Sequence, residues 1–186
     1  MGESGVAPFR YHPDPVESGS AERSEKPCEL CGRVTGYRYT GPVYGPREPE
    51  VLCLECIRDG SASDRMPEST SDLDGPFTTI DGMPPGIPAS VLDELLHRTP
   101  GFSGWQQERW QFHCDDAAAF LRPAGYAELQ DLDDALDSIR AECREMRMPD
   151  GQVEDYLRWL RVDGDATAYL FRCLHCGTHL AYTDMS

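Results

Sequence analysis

Two short cysteine motifs, Cys28-Glu-Leu-Cys31-Gly32 and Cys53-Leu-Glu-Cys56, constrain this chain more than any other feature. Zinc takes four thiolates tetrahedrally at about 2.3 Å, and a two-residue gap lets one tight turn offer two sulfurs to the same ion. The 21 residues between the motifs lie just past the usual separation of about 15–20. Gly32, directly after the second thiol, suits a positive φ that turns backbone N–H groups towards the sulfurs. A structural zinc ion held by Cys28, Cys31, Cys53 and Cys56 is therefore expected. The N-terminal third of the chain has to fold so that the two motifs meet.

Composition decides which chemistry the cysteines serve. Of eight cysteines, six fall in three Cys-x-x-Cys pairs, the third being Cys173-Leu-His-Cys176-Gly177. No basic-then-apolar leader stands at the start, so reduced, metal-bound thiolates in a cytoplasmic protein are expected, not disulfides. Apolar residues make up 39% of the chain, enough for a real core. No apolar run reaches membrane-spanning length, so no membrane partner is expected. The formal net charge is −16, which opposes nucleic-acid binding, because a polyanion is held by clustered Lys and Arg. That acidity gives solubility, or a face that docks a basic protein partner.

Read in order, the chain divides into three stretches that together make one integrated domain. Residues 1–66 form an extended Pro-, Gly- and Ser-rich segment followed by a zinc-ribbon-like lobe, 67–88 a Pro/Gly-rich loop, and 89–186 a helical body with a C-terminal Cys-x-x-Cys hairpin. His12, beside Pro13, reads as an ordered loop histidine. Tyr37-Arg-Tyr39, a turn at Gly41-Pro42 and Gly45-Pro46, and the return at Val51-Leu52 suggest a hairpin between the motifs. Ser90, with Asp93 three residues on, caps a helix whose apolar face is Val91, Leu92, Leu95 and Leu96, and Thr99-Pro100-Gly101 stops it. The aromatic stretch 104–114 is expected as a helix or turn that buries Trp105 and Trp110. Ala127 to Arg147 reads as the longest helix, with Leu129, Leu132, Leu136, Ile139, Cys143 and Met146 on one seam. Val153, Tyr156, Leu157 and Leu160 mark a further short helix. The pattern strand, Cys173–Cys176 knuckle, strand closes the chain. The fold class expected is α+β: a small zinc-ribbon-like β-hairpin lobe, a helical body and a C-terminal strand–knuckle–strand hairpin.

These residues also resemble the CbrC family of bacterial proteins, nearly end to end. The likeness rests on Phe9-Arg-Tyr-His-Pro-Asp-Pro15, Ser18-Gly19, both N-terminal motifs, Tyr39-Thr-Gly-Pro-Val-Tyr44, Cys56-Ile-Arg-Asp-Gly-Ser-Ala62, Arg98-Thr-Pro-Gly-Phe102, Trp105-Gln-Gln-Glu108, His113-Cys114 and the final Cys173-x-x-Cys176-Gly177. The resemblance implies membership and a label connected with colicin tolerance; it implies no mechanism. Members also tend to carry Pro-Trp inside the second motif, where this chain has Leu54-Glu55. They tend to carry a further cysteine where this chain has Ala118.

Cys114, Cys173 and Cys176 read either as a second metal site, completed by His179 on the strand after the knuckle or by water, or as a site decayed to a buried thiol and an empty knuckle because Ala118 cannot ligate. His113 is the poorer candidate if its segment is helical, since neighbouring side chains diverge there. His175, inside the knuckle, is expected to point away. Three functions compete: a zinc-stabilised scaffold or protein-binding module, a metal-dependent enzyme with a half-open second zinc site, and a Cys-x-x-Cys thiol–disulfide oxidoreductase. The first is favoured. Paired motifs saturate one ion, and no His-Glu-x-x-His or comparable cluster accompanies them.

Overall fold

The computed structural model describes residues 5–45, 48–66, 74–80, 82–162 and 164–186. The turn expected at Gly45-Pro46 and the first part of the loop expected over 67–88 lie partly outside these residues. Helices and small antiparallel sheets are mixed, an α+β architecture. The chain parts into two compact units, residues 1–103 with 108–110, and residues 104–107 with 111–186.

In the first unit, strand β1 (Ala21–Ser24) pairs antiparallel with β2 (Gly36–Tyr39), Ala21 facing Tyr39 and Ser24 facing Gly36. The first cysteine motif lies in the connection between them. This corrects the expected hairpin: the strand partner of Tyr37–Tyr39 precedes the first motif, and Val51-Leu52 is not a paired strand. Val51 and Leu52 still dock there, since Tyr39 N–H donates to Leu52 O at 2.8 Å and Glu29 N–H to Val51 O at 2.9 Å. Those two bonds carry the second motif to the first. It opens α1 (Leu54–Arg58), with Cys53 as the N-cap.

Helix α2 (Ala89–Arg98) buries Val91, Leu95 and Leu96. It belongs to the first unit, and its backbone passes so close to Gly75 that a Cβ there would meet Leu96 O at 2.2 Å. Pro88, not Ser90, holds the N-cap position, with extended backbone at φ −61°, ψ 141° and no side-chain cap; proline's fixed φ is compatible with that conformation. The core gathers Phe9, Tyr39, Leu52, Ile57 and Phe77 around three of the cysteines.

The second unit begins with a two-residue hairpin, β3 (Phe112–His113) against β4 (Asp116–Ala117). Segment 104–114 is thus not helical. Trp105 is 52% exposed; Trp110, in the first unit, is buried against Phe102. Strand β5 (Ala119–Ala124) leads to α3 (Tyr126–Leu129), α4 (Asp133–Glu145) and α5 (Asp150–Trp159), then β6 (Ala166–Arg172) and β7 (His179–Met185). The sheet order is β5-β6-β7, all antiparallel. Pro123 sits in β5, an edge strand, where a missing N–H costs no ladder bond. The central strand β6 is buried along nearly its whole length, and the cross-strand pair Tyr169–Tyr182 stacks at 5.0 Å.

The single long helix expected over Ala127–Arg147 is two helices. Leu132 leaves helical geometry at φ −117°, ψ 76°. The break puts Asp133 and Asp134 in a first turn, where carboxylates favour a helix N-terminus, instead of mid-helix, where Asp competes for backbone bonds. Leu129, Leu136, Ile139 and Cys143 still share one buried face with Val153 and Leu157 of α5 and Leu170 of β6. Met146 falls past the end of that face and is exposed.

Candidate metal centre

Among the described residues, two groups of side chains that could ligate a metal are assembled, one in each unit. The first is Cys28, Cys31, Cys53 and Cys56, with all four sulfurs within 4.8 Å of one another. Sγ of Cys28 lies 3.9 Å from that of Cys56, and Sγ of Cys31 lies 3.8 Å from that of Cys53. Four sulfurs about 2.3 Å from a tetrahedral ion are spaced roughly 3.8 Å apart, so the donor set fits zinc. None of the eight cysteines is in a disulfide.

Local backbone explains the fit. In the first knuckle Gly32 N–H donates to Cys28 O at 2.8 Å and Cys28 N–H to Arg33 O at 2.9 Å, with Gly32 at φ 70°. No atom lies within 4 Å of where a Gly32 Cβ would stand, so the backbone angle, not space, requires glycine. In the second motif, the turn that starts α1 puts Cys53 and Cys56 one above the other, three residues apart. Cys53 N–H also points at Cys28 Sγ, 3.4 Å away. Cys28, Cys53 and Cys56 are 1–2% exposed, and Cys31 stands at the edge. The Arg33 side chain and backbone beside Cys31 lower its pKa to about 6, whereas burial pushes Cys53 and Cys56 up. With Cys31 already biased towards the thiolate and Cys53 and Cys56 held towards the thiol by burial, a divalent ion would supply the positive charge that lets all four ligate as thiolates.

The second group is His113, Cys114, Cys173 and Cys176. His113 Nδ1 lies 3.2 Å from Cys114 Sγ and 3.4 Å from Cys176 Sγ, and the latter two sulfurs are 3.9 Å apart. The C-terminal knuckle repeats the first: Gly177 N–H donates to Cys173 O at 3.1 Å, Cys173 N–H to Thr178 O at 2.8 Å, and Gly177 has φ 78°. Cys173 is buried, while Cys114 and Cys176 are exposed. Hydrogen bonds from Thr178 hold the Cys176 thiol below its ordinary pKa.

A family model described as an uncharacterised protein family, UPF0167, matches residues 6–185. The chain belongs to that family. The UPF0167 chain is 48% identical over 179 residues to a UPF0167 protein of Mycobacterium bovis, covering 96% of this chain and 92% of the relative. A UPF0167 protein of Mycobacterium tuberculosis matches to the same extent. One from Pseudomonas aeruginosa is 39% identical over 171 residues, 91% of each chain. No solved structure matches.

The fourth donor of the second group differs from the expected one. His179 is not in it: its backbone N–H donates to Asp134 Oδ2 at 2.6 Å and its Nδ1 lies 3.5 Å from the same oxygen. His113 takes that place because its segment is a tight hairpin and not a helix, so the side chains of His113 and Cys114 are no longer forced apart. The pair Asp115-Asp116 after Cys114 was the available turn signal, without the glycine that usually marks one. His175 does point away from the sulfurs, to Asp116 Oδ2 at 2.9 Å. Cys143 is a core residue of the UPF0167 chain, far down the helical seam. Among the described residues no helix is long and apolar enough to cross a membrane.

Proposed function

We propose that this protein is a zinc-stabilised protein-binding module whose first metal site is structural. The buried set Cys28, Cys31, Cys53 and Cys56 carries the reading: its sulfurs have the spacing of a tetrahedral ion's corners. Four thiolates leave no coordination position for a substrate or a nucleophilic water. The lobe it anchors is read as zinc-ribbon-like, two cysteine motifs held together by short strands. Metal binding then contributes directly to the folding of the first unit, because its core is built around the cysteines.

The partner that fits a chain of charge −16 is a basic protein, in a cytoplasm that keeps the thiols reduced. The resemblance to the CbrC family, whose label concerns colicin tolerance, makes a toxin-like enzyme the partner class to try first. The test of the metal reading is zinc content per chain in protein purified without added metal, followed by thermal melts with and without a strong chelator. Bound zinc and a lower melting temperature after chelation are expected. An unchanged melt in metal-free protein removes the structural role.

A further inference from the structure

The geometry points to a second zinc site in the C-terminal unit, with His113 Nδ1, Cys114, Cys173 and Cys176 as its four ligands, whose metal is the exchangeable one. The distances fit first. His113 Nδ1 is 3.2 and 3.4 Å from two of the sulfurs and those sulfurs are 3.9 Å apart. Donors about 2.0–2.3 Å from a tetrahedral ion stand roughly 3.5–3.8 Å from each other. All four ligand atoms lie within 4.8 Å. Three thiolates and one imidazole are a set that selects zinc over hard cations.

Backbone conformation is the second observation. Cys114 and Asp115, the two loop residues between β3 and β4, both have positive φ, 54° and 57°. That geometry suits Asn-Gly, and a cysteine held in it is strained. The strain has a use here, since it turns Cys114 across to Cys176, 62 residues away in sequence. Around the sulfurs, His175 N–H points at Cys173 Sγ at 3.4 Å and Thr178 Oγ1 lies 3.2 Å from Cys176 Sγ. His175 Nε2 is 2.9 Å from the buried Asp116 carboxylate, so the knuckle is tied to the hairpin that carries the other two ligands. Such outer contacts are what hold first ligands in place.

With His113 as the fourth donor the site is closed, and a half-open catalytic zinc is not needed to complete it. It differs from the first site in access. Cys114 and Cys176 face solvent, whereas three of the first site's thiols are buried. A chelator reaches an exposed thiolate–metal bond directly, so zinc leaves this site first.

The experiment uses full-length protein and zinc as the only ligand, and does not depend on the first site's role. Native mass spectrometry is expected to find about two zinc ions per chain, and about one in either Cys31→Ala or Cys114→Ser. Pyridylazoresorcinol should remove one ion at least roughly tenfold faster than the other. Cys114→Ser abolishes the fast phase, and His179→Ala leaves both ions in place. His113→Ala accelerates the fast phase, while His113→Cys restores slow release and adds a fourth thiolate to the cobalt-substituted site. That addition is read as stronger thiolate-to-cobalt absorption, which a merely structural role for His113 would not change. About one zinc per chain that survives Cys114→Ser but not Cys31→Ala overturns the proposal and leaves the first site standing. Loss of an ion in His179→Ala, or cobalt absorption unchanged in His113→Cys, overturns the ligand assignment.

Discussion

His12 Nδ1 donates to the carbonyl oxygen of Pro100 at 2.8 Å, across 88 residues of chain. A carbonyl only accepts, so Nδ1 carries the proton, and Nε2 of the neutral ring accepts from the Ser18 hydroxyl at 2.6 Å. The imidazole is wholly buried. It ties the Pro-rich N-terminal segment to the end of α2, which gives the loop histidine of the sequence a structural role.

That burial sets a pH dependence. Desolvation lowers the His12 pKa from 6.5 to about 4, so the folded state resists a proton that the unfolded chain takes up. The contribution is fully present above pH 6.5 and is lost as pH falls from 6.5 towards 4, a total of about 3 kcal/mol. Protonation of metal-bound thiolates adds to acid loss in any variant, so the difference from His12→Gln isolates the term. The variant should be less stable at pH 7.5 and show a shallower fall below pH 6.5 in chemical denaturation. Parallel curves would mean that His12 titrates normally.

Gly101 follows Pro100, and its constraint is space. A Cβ there would sit 1.8 Å from Phe77 O and 3.1 Å from Tyr39 Oη. Backbone atoms cannot rotate aside, so Gly101→Ala should destabilise the first unit by about 3 kcal/mol. Gly151 is the opposite case: it lies inside α5 with nothing within 4 Å of its missing Cβ. Gly151→Ala should stabilise by up to about 1 kcal/mol through helix propensity. Urea midpoints of the two variants should move in opposite directions, and a shift of the same sign would contradict this packing.

Much of the candidate site was legible in the sequence because cysteine spacing is a local code. Cys-x-x-Cys-Gly encodes one turn, and Gly32 and Gly177 take the same left-handed conformation in two unrelated places. Helices with clear apolar faces, such as Val91, Leu95 and Leu96, were equally readable. Long-range pairing was not. Ala21–Ser24 has no β-branched or aromatic residue, so nothing local marks β1 as the partner of β2. The seam from Leu129 to Met146 continued in phase across Leu132, and periodicity alone could not show a break made by neighbouring aspartates. His113 was obscured because Cys114 and Asp115 form a left-handed turn without glycine or asparagine.

Asp134 shows how one acidic residue can be used internally. Its carboxylate accepts the His179 N–H at 2.6 Å and the Ala135 N–H at 3.0 Å, which holds its pKa below the ordinary value despite partial desolvation. Asp134→Ala removes the tie between the start of α4 and the start of β7 and should cost about 1 kcal/mol. Asp134→Asn, which can still accept, should lose less. A thermal melt ranks the three proteins, and equal loss in both variants would place the effect in charge instead of hydrogen bonding.

The remaining acidity is where a partner would act. Arg140 pairs with both Asp137 and Glu154 within the helical layer, at 3.0 and 2.8 Å, but Lys and Arg number 17 against 33 Asp and Glu in the chain. The excess cannot be paired internally. If it serves a basic protein, association is steered by long-range attraction and weakens as salt screens it. Proteins captured from a host lysate at low ionic strength should be basic. The association rate of the best of them should fall roughly tenfold between about 0.05 and 0.5 M salt, over which the Debye length shrinks to a few ångströms. Binding to duplex DNA should be absent at physiological salt, since the same field repels phosphate. Capture of neutral or acidic proteins only, or rates indifferent to salt, would reduce the charge to a solubility device.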